Sequence, residues 1–303
     1  QCLWSFEAHR LRPQVRPAVD TRAMSVGVGL KLQHLNEALA HDASDGLWFE
    51  VHAENHMVDG GPRLACLHAV AQRFPLSIHG VGLSIAGPAP LDEQHLQRLC
   101  RLVQALQPQL VSEHMAWSFD GQTYFPDLLA PTRTTELLDH VCRRIDHIQE
   151  QLGRRIAIEN PTHYNKDPGH TLSEAQFWSR LVARTGCAVL LDINNALLSA
   201  HNLGLPEDEA LSWLAALPQQ AVTEIHLAGY LSDPEWGDAL RIDHHGRHVA
   251  PETWAAYAQA LRALGPVPTL IEWDNDVPDF QSLMAQRAHG LALWQHAQEA
   301  AHA

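Results

Sequence analysis

The chain has 303 residues, 46% hydrophobic and 18% charged, which supplies a large core and excludes a disordered body. Lys plus Arg is 21 and Asp plus Glu is 35, a formal charge of 21 − 35 = −14, and so acidic a surface argues against nucleic acid or anionic lipid as partner, since both bind to basic patches. No apolar run is long enough to cross a bilayer and no n-region and h-region stand at the start, so a soluble, cytoplasmic protein without a membrane partner is expected.

Residues 1–24 are rich in Arg and Pro, lack periodicity and are expected to form a flexible N-terminal extension outside the fold. From residue 25 to 303 short β-branched apolar runs alternate with longer segments of helical period. The spacing predicts a strand at Val26–Leu30, a helix at Leu35–His41, a strand at Leu47–Val51, a helix at Pro62–Phe74, a strand at Leu76–His79 and a helix at Asp92–Leu106. It continues with a strand at Leu110–His114, a helix at Thr134–Leu152, a strand at Arg155–Glu159, a helix at Ser173–Thr185 and a strand at Ala188–Asp192. A helix at Glu207–Leu214, a strand at Val222–His226, a helix at Pro251–Leu264, a strand at Thr269–Glu272 and a helix at Phe280–Ala300 complete the series. Strict alternation requires parallel strands, because each crossover helix returns the chain to the same end. Eight such units close most simply into a (β/α)₈ TIM barrel, an α/β fold in one domain. A doubly wound open sheet is the alternative, but Gly27-Val-Gly29 lies inside the first strand and no G-x-G-x-x-G follows it.

Strands buried on both faces read as continuous Val, Ile and Leu, and these do so until their last residue. His79, His114, Glu159, Asp192, His226 and Glu272 each end a strand, and Asp243-His-His245-Gly246 lies in the loop after the seventh. In a barrel these side chains converge on the C-terminal mouth, where active sites lie. A single strand-end His is more often a structural, hydrogen-bonded residue than a ligand. Three acids and several imidazoles on one rim, with no Lys beside them, repel unless cations neutralise them, so a metal centre is expected. Imidazole with carboxylate suits Fe, Mn, Zn or Co, and the donors outnumber what one ion needs, so two or three ions with Glu159 bridging are expected, typically about 3.5–4 Å apart.

Other residues are weaker candidates. Glu50, His52, Glu54, Asn55 and His56 crowd the end of the second strand; Glu54 and Asn55 read as groups that orient ligands. Asn160, Asn194 and Asn195 are substrate or ligand candidates, with turn chemistry as an equal alternative, and His163 and Tyr164 lie on a loop suited to substrate contact. The helical histidines, His34 and His95 among them, read as exposed or capping groups. Cys2, Cys66, Cys100, Cys142 and Cys187 are odd in number and contain no C-x-x-C pair, so they form neither a disulfide framework nor a zinc ribbon and are expected to be mostly small buried hydrophobes.

Nine motifs in order carry a resemblance over nearly the whole chain beyond the extension: Gly27-Val-Gly-Leu30, Phe49-Glu-x-x-x-Glu-Asn55, His79-Gly-Val-Gly-Leu-Ser84, Ser112-Glu-His114, Ile158-Glu-Asn-Pro161, Asp192-Ile-Asn-Asn195, His226-Leu-Ala-Gly229, Asp243-x-His-Gly246 and Ile271-Glu-Trp-Asp274. Together they resemble the multinuclear non-haem iron-dependent oxidases, the MbnB/TglH-like proteins, whose barrel is related to those of endonuclease IV and xylose isomerase. The resemblance implies an O₂-using oxidase that modifies cysteine residues of a ribosomally made precursor peptide, with a small partner protein that presents the leader. It implies two or three irons of mixed valence on His79, His114, Glu159, Asp192, His226, Asp243, His245 and Glu272, with Asn195 as a further ligand. Two departures stand out. Asn195 occupies the place of a His in the nuclease pattern, and Tyr230 stands where a second His is expected after His226. An endonuclease IV-like metal-dependent hydrolase or phosphodiesterase is one alternative. A sugar isomerase or epimerase is another, although Lys31 and Lys166 are poorly placed for its catalytic lysine.

Overall fold

The computed structural model of the protein describes residues 24–42 and 45–302. Among these residues eight parallel strands close into a barrel: β1 (Val26–Gly29), β2 (Phe49–His52), β3 (Leu76–Gly80), β4 (Leu110–His114), β7 (Ala157–Glu159), β8 (Ala188–Asp192), β9 (Val222–Leu227) and β12 (Thr269–Ile271). Each strand pairs with its neighbours in sequence order and β1 closes on β12. The helices between them are α1 (Leu35–Ala40), α2 (Pro62–Ala71), α3 (Glu93–Leu106), α4 (Thr135–Leu152), α5 (Glu174–Thr185), α6 (Ile193–Leu203), α7 (Pro251–Leu264) and α8 (Phe280–His302). The fold is therefore the expected (β/α)₈ barrel, and the expected strands stand within two residues of the observed ones.

Local chemistry sets the helix ends. Asp92 accepts from the backbone N–H groups of Gln94 and His95, Thr134 accepts from that of Leu137, and Ser173 with Gln176 forms a capping box. Each such cap is worth about 1 kcal/mol. The faces turned to the barrel bury Leu96, Leu99 and Val103 on α3, Val141, Ile145 and Ile148 on α4, and Phe177 and Leu181 on α5.

Register decides which side chains point into the barrel. Residues paired across parallel strands share a face, so Gly29, Glu50 and Ser77 lie on one inward level, as do His52, His79 and Ser112 on another. The floor is apolar: Met24, Trp48, Leu110 and Leu270 form one cluster and Ala157, Ala188 and Leu190 another. A Cβ on Gly27 would lie 2.4 Å from the Trp48 ring, so only glycine lets the indole cross the floor.

Four expectations are corrected. The helix after β8 is α6, starting directly at Ile193; the segment expected to be helical at Glu207–Leu214 forms only two short 3₁₀ turns, Glu207–Glu209 and Ser212–Ala216. The Asn-rich start of α6 reads as a turn in isolation, but the carboxylate of Asp192 caps it. Two antiparallel hairpins not foreseen rise from the mouth: β5 (Trp117–Phe119) with β6 (Tyr124–Leu129), and β10 (Leu231–Asp233) with β11 (Gly237–Ile242). His34 is buried, its Nε2 on the Pro278 carbonyl, because α8 covers it. Met24, placed in the extension on sequence grounds, belongs to the barrel floor; the rest of that extension, Cys2 included, lies outside the described residues. Of the other cysteines, all free, Cys142 and Cys187 are buried and Cys66 and Cys100 half-buried. Among the described residues no helix is long and apolar enough to cross a membrane.

Candidate metal centre

The C-terminal ends of the strands carry the site. His79 of β3 and His114 of β4 each bring Nε2 to 3.1 Å from one oxygen, Oε2 of Glu159 at the end of β7. Their other nitrogens are anchored: His79 Nδ1 on Ser112 Oγ at 2.7 Å and His114 Nδ1 on the Gly80 carbonyl at 3.0 Å. His226 of β9 places Nδ1 3.0 Å from Oε2 of Glu272, which follows β12. His245 places Nε2 2.5 Å from Asp243 and 4.0 Å from Asp192, and Nδ1 3.3 Å from Glu272. All eight ligands expected of the rim therefore converge in three dimensions.

The donor atoms are arranged as a cation would need them. His79 Nε2, Glu159 Oε2, Asp192 Oδ2 and His245 Nε2 are buried and, although both nitrogens lie within 3.1 Å of a carboxylate oxygen, none of the four makes a hydrogen bond of proper angle. In His79, His114 and Glu159, in Glu159, Asp192 and His226, and in His79, His226 and Glu272, three donor atoms lie within 4.8 Å of one another. Unpartnered lone pairs at full burial cost several kcal/mol in sum unless a cation or water takes them. The mixed imidazole and carboxylate set, with no thiolate, fits iron, manganese or zinc.

Electrostatics point the same way. Burial disfavours charge on His114, but Glu159 and Glu113 outweigh it and push the imidazole up to about 10. Burial and the nearby Glu159 drive Asp192 well above the usual carboxylate range. Burial also works against ionisation of Glu272, yet His245 and His226 hold it well below that range. In the absence of a cation, protons do the neutralising here, and a metal ion replaces them with stronger and better-directed bonds.

The mouth opens into a cleft of about 150 Å³ walled by His52, Leu128, Thr162, Tyr164, His244 and Asn275 among others. A larger cleft of about 450 Å³ beside Phe280 and Met284 holds one imidazole, so chemistry and not volume locates the site. Of the weaker candidates, Asn194 donates to Asp243 at 3.1 Å and the Tyr164 hydroxyl accepts from the backbone N–H of Asp243 at 3.2 Å. Asn160 pairs with the backbone of Asp192 through both ends of its amide, joining β7 to β8. Asn195 donates to Glu159 at 3.2 Å while its oxygen accepts from Thr162 at 2.7 Å, so its amide holds the Glu159 carboxylate in place.

Four expected residues lie apart from the ring. His163 turns to Arg133 and His170. Tyr230 donates to Glu252 and lies under the Arg241 guanidinium. Glu54 binds the backbone of Val81 and pairs with His95, which is thus no free surface histidine, and Asn55 is exposed. Ring side chains are contacted instead by Ser112, on His79, and by Asn195, on Glu159.

Sequence reasoning missed Glu224 and Asp274, set Lys31 aside as poorly placed, and named Glu50 only as one of several weaker candidates at the end of the second strand. Lys31 does reach the rim, its ammonium 2.5 Å from Asp274, which sits 3.6 Å from His245 and 3.6 Å from His52. Glu50 and Glu224 are inward by parity, each two residues before an inward His, and strand alternation is the signal that finds them. Burial and the neighbouring Glu50 push Glu224 up to about 7.

The chain is similar to a family of known proteins over most of its length. Residues 25–293 match the model of the RiPP precursor modification enzymes MbnB/TglH/ChrH. The chain belongs to this family. A UPF0276 protein of Caulobacter vibrioides (strain NA1000 / CB15N) is 50% identical over 281 residues, covering 92% of this chain and 99% of the relative. A UPF0276 protein of Rhizobium meliloti (strain 1021) is 44% identical over 276 residues, 88% of each. Among solved structures, a xylose isomerase-like TIM barrel protein of Mycobacterium smegmatis in complex with magnesium superposes with a TM-score of 0.57 at 14% identity, covering 92% of this chain and 99% of that one. Endonuclease IV of Thermus thermophilus gives 0.56 at 16%, covering 90% and 99%. At such identities these two share the barrel and nothing more is carried over from them. As a member of the MbnB/TglH/ChrH family the protein is an enzyme of precursor-peptide modification, and its substrate is a precursor peptide.

Proposed function

We propose that the protein is a multinuclear iron-dependent oxidase that uses O₂ to modify cysteine residues of its precursor peptide, with a small leader-binding partner protein. The observation that supports this best is the set of buried, unpartnered donor atoms around Glu159, on His79, Asp192 and His245. His79, His114 and Glu159 would hold one iron; Glu159, Asp192, His226 and Glu272 a second; Asp243 and His245 a third. Bound iron supplies a Lewis-acidic position for a soft cysteine thiolate and the electrons that O₂ accepts.

The chain's own residues do the rest. Asn195 fixes the bridging carboxylate, and Asn194 and the Tyr164 hydroxyl fix Asp243 by its side chain and its backbone. Lys31 and His52 share Asp274, and the ammonium takes up part of the negative charge at the mouth. Thr162, Tyr164 and His244 form walls against which a peptide lies while the barrel floor excludes water from below.

Protein isolated from iron-supplemented cells is expected to carry more than one equivalent of iron, and to consume O₂ with a Cys-containing precursor peptide but not with its Cys→Ser version. Glu159→Ala and His114→Ala are expected to lose metal and activity together with an unchanged far-ultraviolet dichroism spectrum. A zinc-only preparation that hydrolyses phosphodiesters, or a full metal load in Glu159→Ala, would overturn the proposal.

A further inference from the structure

One level beneath the ring the barrel holds something an apolar filling does not explain. Layers of Val, Ile and Leu are the usual content of a barrel interior. Here Glu50 of β2 and Glu224 of β9 point inward, 2% and 0% exposed, and three of their four carboxylate oxygens have no hydrogen-bond partner. Both face one atom: Nε2 of His226 lies 3.5 Å from Glu50 Oε1 and 3.7 Å from Glu224 Oε1, and is itself fully buried and unpartnered. Ser77, next to Glu50 across the β2–β3 pairing, adds a buried hydroxyl without a partner.

The three barrel imidazoles differ in how they are anchored. His79 and His114 turn Nε2 to Glu159 and rest Nδ1 on neutral acceptors, the Ser112 hydroxyl at 2.7 Å and the Gly80 carbonyl at 3.0 Å, with a single carboxylate, Glu113, farther off at 3.8 Å from His114. His226 is inverted: Nδ1 faces Glu272 in the ring and Nε2 faces the acids below. An imidazole that binds a metal through one nitrogen donates the N–H of the other to an acceptor, and a carboxylate acceptor strengthens it as a ligand.

We infer that Glu50 and Glu224 are positioning residues that take the Nε2–H of His226, fix it as an Nδ1 ligand and make the ion it holds the more electron-rich member of an unequal pair. This rests on the ring's holding metal, and goes beyond it by assigning two acids outside the ring a role at one ion only. The ion shared by His79 and His114 has the Ser112 hydroxyl and the Gly80 carbonyl as the nearest anchors behind its imidazoles, with one carboxylate, Glu113, 3.8 Å from His114 Nδ1, and is expected to respond less.

The test uses the full chain. Glu50→Gln and Glu224→Gln are each expected to lower affinity for a single equivalent of iron about 10- to 100-fold, to raise the Fe(III)/Fe(II) potential of that equivalent, and to shift one Mössbauer component while the other stays. Glu50→Asp is expected to restore part of the loss. Independently of any variant, ¹⁵N-histidine spectra of the zinc-loaded wild-type protein should show His226 protonated at Nε2 and metal-bound at Nδ1. If the wild type binds no metal, the metal reading falls. If it binds metal and the variants match it in affinity and potential, or Nε2 carries no proton, or anomalous diffraction places an ion between Glu50, Glu224 and Nε2, this inference alone falls.

Discussion

Asp192 serves two structures through two oxygens. Its Oδ1 accepts the backbone N–H of Asn195 at 2.7 Å and caps α6, while Oδ2 is buried and unpartnered toward His245. The two roles separate by substitution. Asn caps as well as Asp, so Asp192→Asn without metal is expected to be at least as stable as the wild type, whereas Asp192→Ala loses about 1 kcal/mol in urea denaturation. Both are expected to lose an equivalent of metal; equal stability of the two variants would remove the capping role. Gly229 acts by close approach. A Cβ there would lie 2.4 Å from the Arg247 carbonyl oxygen and 2.5 Å from that of His248, so Gly229→Ala must push away the loop that carries Asp243 and His245. The expected result is a loss of about 1–3 kcal/mol on thermal unfolding together with one metal equivalent; a full metal load would show that the loop yields without moving its ligands.

At the scale of an element, the segment after β7 divides its side chains between two tasks. Thr162 and Tyr164 face the cleft, while His163 lies behind it, its Nε2 2.9 Å from the Arg133 guanidinium and its backbone N–H on Ser199. Burial and the charge of Arg133 press His163 down to about 3. Below pH 6.5 the unfolded chain takes up a proton there that the folded chain refuses, so its contribution to stability is complete above 6.5 and is lost as the pH falls toward 3. For metal-free protein the wild type is expected to lose roughly 2 kcal/mol more between pH 7 and 5 than His163→Gln. Urea midpoints at the two pH values measure this, and parallel losses would mean that His163 is solvated and not caged.

Across the whole molecule, a chain of net charge −14 gathers acids at one rim and one buried layer, so ligation and folding are coupled. An ion that binds only the folded barrel at a hundredfold excess over its dissociation constant adds about 2.7 kcal/mol. Chelation is therefore expected to lower the melting temperature by at least roughly 5 °C, reversibly on metal return. Glu159→Ala is expected to melt at the same temperature with and without chelator; a chelator effect that persists in that variant would place the stabilising ion elsewhere.

Local pattern alone was sufficient for the barrel and for the six strand-end residues of its rim. The unbroken apolar run of Ala188–Asp192 reports burial on both faces, and a polar residue that ends such a run has only the mouth to occupy. What period and composition do not contain are relations across space. Lys31 reads as remote from the chemistry until Asp274, 243 residues away, lies against it. That Thr162 donates to the Asn195 oxygen is not legible in the chain, and Asp192-Ile-Asn-Asn195 reads as a turn until the strand-end carboxylate caps a helix. Glu50 and Glu224 carry the right parity in their strands, yet only barrel closure brings both to one nitrogen of His226, because a partner from another strand is set by register and curvature and not by the neighbours in the chain.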